Sequence, residues 1–326
     1  GPLKVQVNSA GDKVLVQAAG NAHIGEVSKH FGWPLINHLS GNAAWKADIS
    51  IRRRNAEVVV ESDLLGISSP LPDPLNKTAT TPLALRVERS APDAQREQYR
   101  ITLGKVAQGV IVRRQEAWER GVFAVGDAEP RLPDKGLAVR VAVPRIDADA
   151  WKNFLPDGAA GGGDGGGLAL NVVTLKTPQL RLFERDYNQV DVSLRPRDGG
   201  WQIGLNTREA VGDVFWNSAG EGWVEGNFKR LIIKPAAEAA DSASSLINTL
   251  PGMSLVVDDF YLGEKALGKL ELKARNDKGA WHLDNLSLQN PDGGLKGKGV
   301  WVNSGRHQTR LDFEMPRHPD FAGSGY

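Results

Sequence analysis

The sequence predicts a mainly β protein of antiparallel strands with a few short helices. Three observations carry this. Apolar residues recur at every second position over most of the 326 residues, the period of a strand with one dry and one wet face. Clusters of Gly, Asn, Asp and Pro punctuate these runs, as turns require. A strand–turn–strand unit also occurs twice, at 190–205 and 270–285, aligned without gaps.

The elements follow in chain order. "LKVQV", a turn at 8–11 and "KVLVQA" read as a hairpin. Ile24, Val27 and Phe31 then lie on one helical face, predicting a helix over 23–31 with Gly32 as its stop. A short apolar turn, "WPLINHLSG", follows. "AWKADISIRRRNAEVVVESDL" alternates on both sides of Arg53-Arg54-Asn55, giving a second hairpin. "SSPLPDPLNKTATTP" holds four prolines, each lacking a ladder donor, so it is a loop or an edge crossing. "LALRVER", "YRITLG", "QGVIVRR", "GVFAVGD" and "LAVRVAVPRI" are further strands. Residues 149–155 form a short helix capped by Asp147 or Asp149.

"GAAGGGDGGG" is a flexible linker by composition. Strands return at "LALNVVTL", "LRLFER", "NQVDVSLRPRDGGWQIGLNT", "GEGWVEGNF" and "RLIIKP". A third helix is predicted over 237–250, ended by Pro251-Gly252, and a last strand group runs from 270 to 301. In the two repeat copies Val190, Val192, Leu194, Trp201 and Ile203 match Leu270, Leu272, Ala274, Trp281 and Leu283. Arg195 matches Arg275 and Gly199 matches Gly279, but Leu205 falls opposite Asn285. Such repetition means that each unit needs neighbours to bury its apolar side.

Composition narrows the function. Lys and Arg number 40 against 39 Asp and Glu, so nothing suggests a broad basic face for nucleic acid. The chain has no cysteine, which excludes disulfides, thiolate metal sites and a cysteine nucleophile. It has no apolar run long enough to span a bilayer. His23, His30 and His38 read better as surface histidines than as metal ligands, and no metal or cofactor is expected. "GGGDGGG" lacks the Lys-Ser/Thr and helix start of a phosphate cradle. Asp258-Asp259 reads as a strand edge rather than a catalytic pair, and "IRRRN" as a solvated turn rather than a headgroup contact. Trp201 and Trp281 follow equivalent turns, so a packing role is favoured over a sugar platform. The chain opens "GPLKVQV", without an initiator Met or signal peptide, and is read as a piece of a longer protein.

Three segments resemble the AsmA-like superfamily of Gram-negative envelope proteins, and most closely its large YhdP-type members. They are "FGWPLINHLSGNAAWKADISI" with the "AEVVVESDLLGISSPLPDPLNKTATTPLALRVER" that follows it, "RIDADAWKNFLP", and "DDFYLGEKALGKLELKARNDKGAWHLDNLSLQNPDGGLKGKGVWV". The closing "MPRHPDFAGSGY" departs from the family pattern. The resemblance implies an elongated, curved antiparallel sheet that forms an open apolar groove. It further implies a periplasmic location, an inner-membrane anchor in the parent protein, phospholipid acyl chains as partners and no catalytic motif. On that basis Val58, Val60, Val190, Val192, Leu194, Ile203, Leu270, Leu272 and Leu283 are expected to line the groove, and Trp201, Trp281, Gly199 and Gly279 to be structural. The expected layout is an AsmA-like segment at 1–157, a linker or loop at 158–167, repeated units at 168–315 and a disordered tail at 316–326. Two other classes stay open at this level: an envelope adaptor with a closed core, and an enzyme on a β scaffold, for which no polar cluster offers itself.

Overall fold

The computed structural model describes residues 3–10, 13–31, 34–52, 55–93, 95–115, 117–154, 168–233, 251–277, 280–302 and 310–314. The predicted helix at 237–250, the Gly-rich stretch at 158–167, the tail at 316–326 and Gly279 lie outside the described residues. The chain forms two compact units, 1–187 and 188–326.

In the first unit, β1 (Lys4–Ala10), β2 (Lys13–His23), β3 (Ser40–Arg52) and β4 (Asn55–Ser62) pair antiparallel in sequence. The first strand runs through Ala10, so residues 8–10, predicted to lie in the turn, belong to it. Between β2 and β3 stand α1 (Ile24–Phe31) and a 3₁₀ turn over Pro34–His38. The proline-rich loop contributes only the two-residue β5 (Ile67–Ser68), which pairs with the start of β3. Lys77 organises this loop. Its ammonium donates to the carbonyls of Leu64, Ile67 and Thr78 at 2.8, 2.7 and 3.0 Å, so a buried charge ties three points of the loop together.

The ladder continues antiparallel through β6 (Leu85–Asp93), β7 (Arg96–Leu103), β8 (Ala107–Arg114) and β9 (Ala117–Gly126). It then changes direction. β10 (Gly136–Ala142) pairs parallel with both β9 and β12 (Leu170–Leu182), and β11 (Arg145–Asp147) pairs parallel with β12. A parallel neighbour needs a return crossing, and residues 127–135 supply one. Leu132 of that crossing packs on Val122, Ala138 and Val172, so this stretch of sheet is apolar on both faces, as parallel strands commonly are. The predicted helix near residue 149 is the single turn α2 (Ala148–Trp151), capped by the Asp147 carboxylate accepting from the Ala150 amide at 3.0 Å. Asp149 is engaged elsewhere. Its two oxygens accept from the Phe183 and Glu184 amides, both at 2.8 Å, which draws its pKa down.

The second unit is a ladder of β13 (Arg185–Arg197, whose first residues belong to the first unit), β14 (Gly200–Asn206), β15 (Ala210–Asn217), β16 (Trp223–Ile233), β17 (Gly252–Leu262), β18 (Lys265–Asp277), β19 (Ala280–Asn290), β20 (Gly293–Val302) and β21 (Arg310–Glu314). Among the described residues, neighbouring strands here pair antiparallel except β16 with β17. The β13–β14 hairpin turns on Asp198 and Gly199, both at positive φ (47° and 74°), the two-residue turn whose twist matches its strands.

The structure also explains where the repeat match fades. Leu194 faces Ile203, and Ala274 faces Leu283, so the two copies are in register at that rung. A bulge between Lys273 and Ala274 then admits an extra residue into β19. Leu286, not Asn285, therefore sits opposite Leu272, as Leu205 sits opposite Val192.

Candidate functional site

Residues paired across adjacent strands share a face of the sheet. Following the pairs through the second unit traces an unbroken apolar row: Leu194, Ile203, Val214, Gly226, Leu255, Leu272, Leu286, Gly297 and Phe313. A second row lies beside it: Val192, Leu205, Gly212, Phe228, Val257, Leu270, Leu288 and Leu295. Glycines in these rows are covered by rings. A Cβ on Gly226 would come within 2.6 Å of the Phe228 ring, and one on Gly297 within 2.7 Å of the Phe313 ring. Trp201 lies opposite Trp216, and Trp281 opposite Trp301, each pair beside a hairpin end. The Trp281 indole N–H donates to the Pro251 carbonyl at 3.3 Å.

The first unit carries an apolar face of its own. One row reads Val5, Ala18, Ala47, Val60, Val87, Ile101, Gly109, Phe123, Val139 and Val173. Val58 lies in the next row, between Ile49 and Arg89. Of the residues predicted to line a groove, Val190, Val192, Leu270 and Leu283 are buried, whereas Val58, Val60, Leu194, Ile203 and Leu272 are half-buried. Val58 and Val60 stand in the first unit and the others in the second.

Within each unit, and among the described residues, the substantial contacts between strands join hydrogen-bonded neighbours. Within each unit the described strands form one hydrogen-bonded ladder rather than the two separate sheets of a sandwich. Away from the parallel stretch of the first unit, where Val122, Ala138 and Val172 are buried, the opposite face is polar. In the first unit it carries a chain of ion pairs: Lys46 to Glu61 at 2.8 Å, Glu61 to Arg86 at 2.5 Å, and Arg86 to Glu88 at 2.7 Å. The hydrogen bond from Lys46, then that from Arg86, lowers the Glu61 pKa, and the Glu61 contact raises that of Lys46. In the second unit Lys269 pairs with Glu271 at 2.8 Å, and Arg275 with Asp284 at 3.3 Å.

Charge also reaches the apolar side of the first unit. Glu97 accepts from the Arg89 guanidinium and from the Tyr99 hydroxyl at 3.0 Å, and it pairs with Arg113 at 3.5 Å. The Arg89 hydrogen bond is the main reason its pKa is lowered. A carboxylate depressed on folding contributes stability above its unfolded pKa of about 4.3, and loses it as pH falls through the folded value. Glu97→Gln should therefore lower stability at pH 7 and flatten its fall at acid pH. Urea midpoints measured from pH 7 to pH 3 check this; parallel acid limbs for the two proteins would refute it.

The other polar candidates have structural places. The His23 imidazole accepts from the Gly25 amide at 3.1 Å at the start of α1, and His38 packs edge-on against Phe154 at 5.1 Å. The side chain of His30 lies outside the described residues, as do Arg53 and Arg54. Asp258 and Asp259 sit at a bulge of β17 and both are exposed. Among the described residues no three His, Asp or Glu side chains gather as a metal site would need, and no helix is long and apolar enough to cross a membrane.

Fold and site together define a class: β-ladder proteins with a long apolar face on one side and a charged face on the other. The chain belongs to the YhdP protein family, whose model matches residues 1–317. It is similar to the intermembrane phospholipid transporter YhdP of Escherichia coli strain K12, with 22% identity over 297 residues, covering 84% of this chain and 23% of that protein. The chain thus spans about a quarter of the length of that curated relative. No solved structure matches it.

Proposed function

We propose that this chain is a periplasmic segment of a bridge-like lipid transporter, carrying phospholipid between the inner and outer membranes along a hydrophobic groove. The observation that carries the reading is the continuous apolar row of the second unit, in which Leu194, Ile203 and Leu272 are half-buried rather than buried. Acyl chains lying on such a face leave water at about 0.8 kcal/mol per methylene. The charged reverse face keeps the ladder compatible with an aqueous compartment. Family membership and the relative's named activity support the same reading. Anchorage in the inner membrane would come from other parts of the parent protein. Trp201 and Trp281 act here as packing residues at the hairpin ends. No cofactor or nucleic acid enters this reading.

The test is direct. The chain purified from a Gram-negative host is extracted with organic solvent, and its lipids are identified by mass spectrometry. Co-purified glycerophospholipid, depleted in groove variants, is the expected result. A protein free of lipid, which also fails to bind phospholipid from vesicles, would favour an envelope adaptor with a closed core.

A further inference from the structure

We propose that Trp216 and Trp301, at one rim of the second unit's apolar face, hold the glycerol-ester region of a bound phospholipid and so fix which way its acyl chains point. This inference rests on the lipid-conduit reading. Its starting point is where tryptophan occurs. At the ladder-paired positions of this face from β13 to β21, tryptophan stands only at Trp201, Trp216, Trp281 and Trp301. All four lie toward the end of the strands that holds the β13–β14 and β18–β19 turns. Toward the other end, the same face carries Leu205, Ala210, Leu231, Leu288 and Leu295, all half-buried. The face is therefore graded along the strand direction. Rings with a polar N–H stand at one end and these hydrocarbon side chains at the other.

The same arrangement is made twice. In each repeat copy the tryptophan of the second strand meets one on the strand that follows: Trp201 meets Trp216 across β14 and β15, and Trp281 meets Trp301 across β19 and β20. Each pair stands one step beyond an apolar rung, Ile203 with Val214 and Leu283 with Gly299. The Trp281 indole is committed to the Pro251 carbonyl. Trp216, by contrast, is 43% exposed, and Trp301 is half-buried. A pair that served only to close a strand end would hide both rings, because burial is what makes such a pair stabilising.

Indole suits the boundary between hydrocarbon and water. Its ring is apolar and its N–H donates, and tryptophan collects at bilayer interfaces for that reason. The dimensions match as well. From Trp301 to Leu295 the strand advances about 20 Å. One leaflet of a bilayer's hydrocarbon core is about 15 Å thick, so an acyl chain laid along β20 from the tryptophan rim ends within the face. The ester carbonyls then meet the indoles, and the headgroup projects past the strand ends into water. The opposite orientation would set the esters against Leu288 and Leu295, which offer no donor.

The test reads the position of each ring along a bound lipid. The 326-residue chain is loaded with phosphatidylcholine that carries a nitroxide quencher either next to the ester or next to the terminal methyl of one stearoyl chain. The chain has nine tryptophans, so the fluorescence of one ring is taken as the difference between the chain and its Trp216→Phe or Trp301→Phe variant. The expected result is loss of most of the Trp216 and Trp301 signals to the ester-side nitroxide, and of little to the methyl-side one. The signal gained in Leu295→Trp, at the far end of β20, should show the reverse. Equal quenching from both positions, stronger quenching from the methyl side, or unquenched Trp216 and Trp301 on a lipid-loaded chain overturns the ester station and leaves the groove standing. So does a Leu295→Trp signal with the same pattern as the other two. A chain that takes up neither lipid overturns the groove reading and this site with it. Should one Phe variant fail to fold, the other alone decides.

Discussion

Leu272→Asp is expected to remain folded and to lose most of its bound lipid. Leu272 stands mid-strand in the apolar row between Leu255 and Leu286, and it is half-buried. An Asp on an uncovered face can turn its carboxylate toward groove water, which limits the folding penalty. It also sets a charge across the path of the acyl chains. If a further layer covered the face, the same Asp would be buried unpaired at a cost of several kcal/mol, and the domain would unfold. Near-ultraviolet circular dichroism reads the fold, and lipid mass spectrometry reads the occupancy. A folded variant with normal lipid content would remove Leu272 from the path, and an unfolded one would support a closed core. Val257→Asp is the control: Val257 is 0% exposed in the neighbouring row, so this variant should not fold.

Phe228→Ala is expected to destabilise the second unit by about 3–5 kcal/mol, toward the top of that range. Phe228 is buried in a cluster with Val257, Phe260 and Leu270, and its ring lies over Gly226. Its ladder partner in β15 is Gly212. Neither glycine has a side chain to move into the vacated space, so the cavity would persist. The measurement is the urea midpoint of the chain with and without the substitution. A loss below about 1 kcal/mol would mean that the ring is dispensable to the core and that the site collapses freely.

Much of this architecture is legible in the sequence. Period-two alternation locates most of the strands, and Gly199 with its preceding Asp198 marks a two-residue turn. α1 is visible from the spacing of Ile24, Val27 and Phe31. Two strands escape. β15 is hidden because Gly212 interrupts its apolar alternation, and β17 because the bulge at Asp258-Asp259 breaks the period. "LALNVVTL" and "LRLFER", read as two strands, belong largely to the single β12. "GWVEGNF" and "RLII" likewise run together in β16.

The sequence by itself determined that this protein is a β ladder with one apolar and one polar side, because side-chain alternation is a local property of extended backbone. Only the tertiary structure decided the direction of β10 and β17, since alternation reads the same whichever way a neighbouring strand runs. It also brought Arg89, Glu97 and Arg113 together from three strands, and aligned the apolar residues of separate strands into continuous rows. Pairing register and the coverage of a face are relations between distant segments, and no local pattern encodes them.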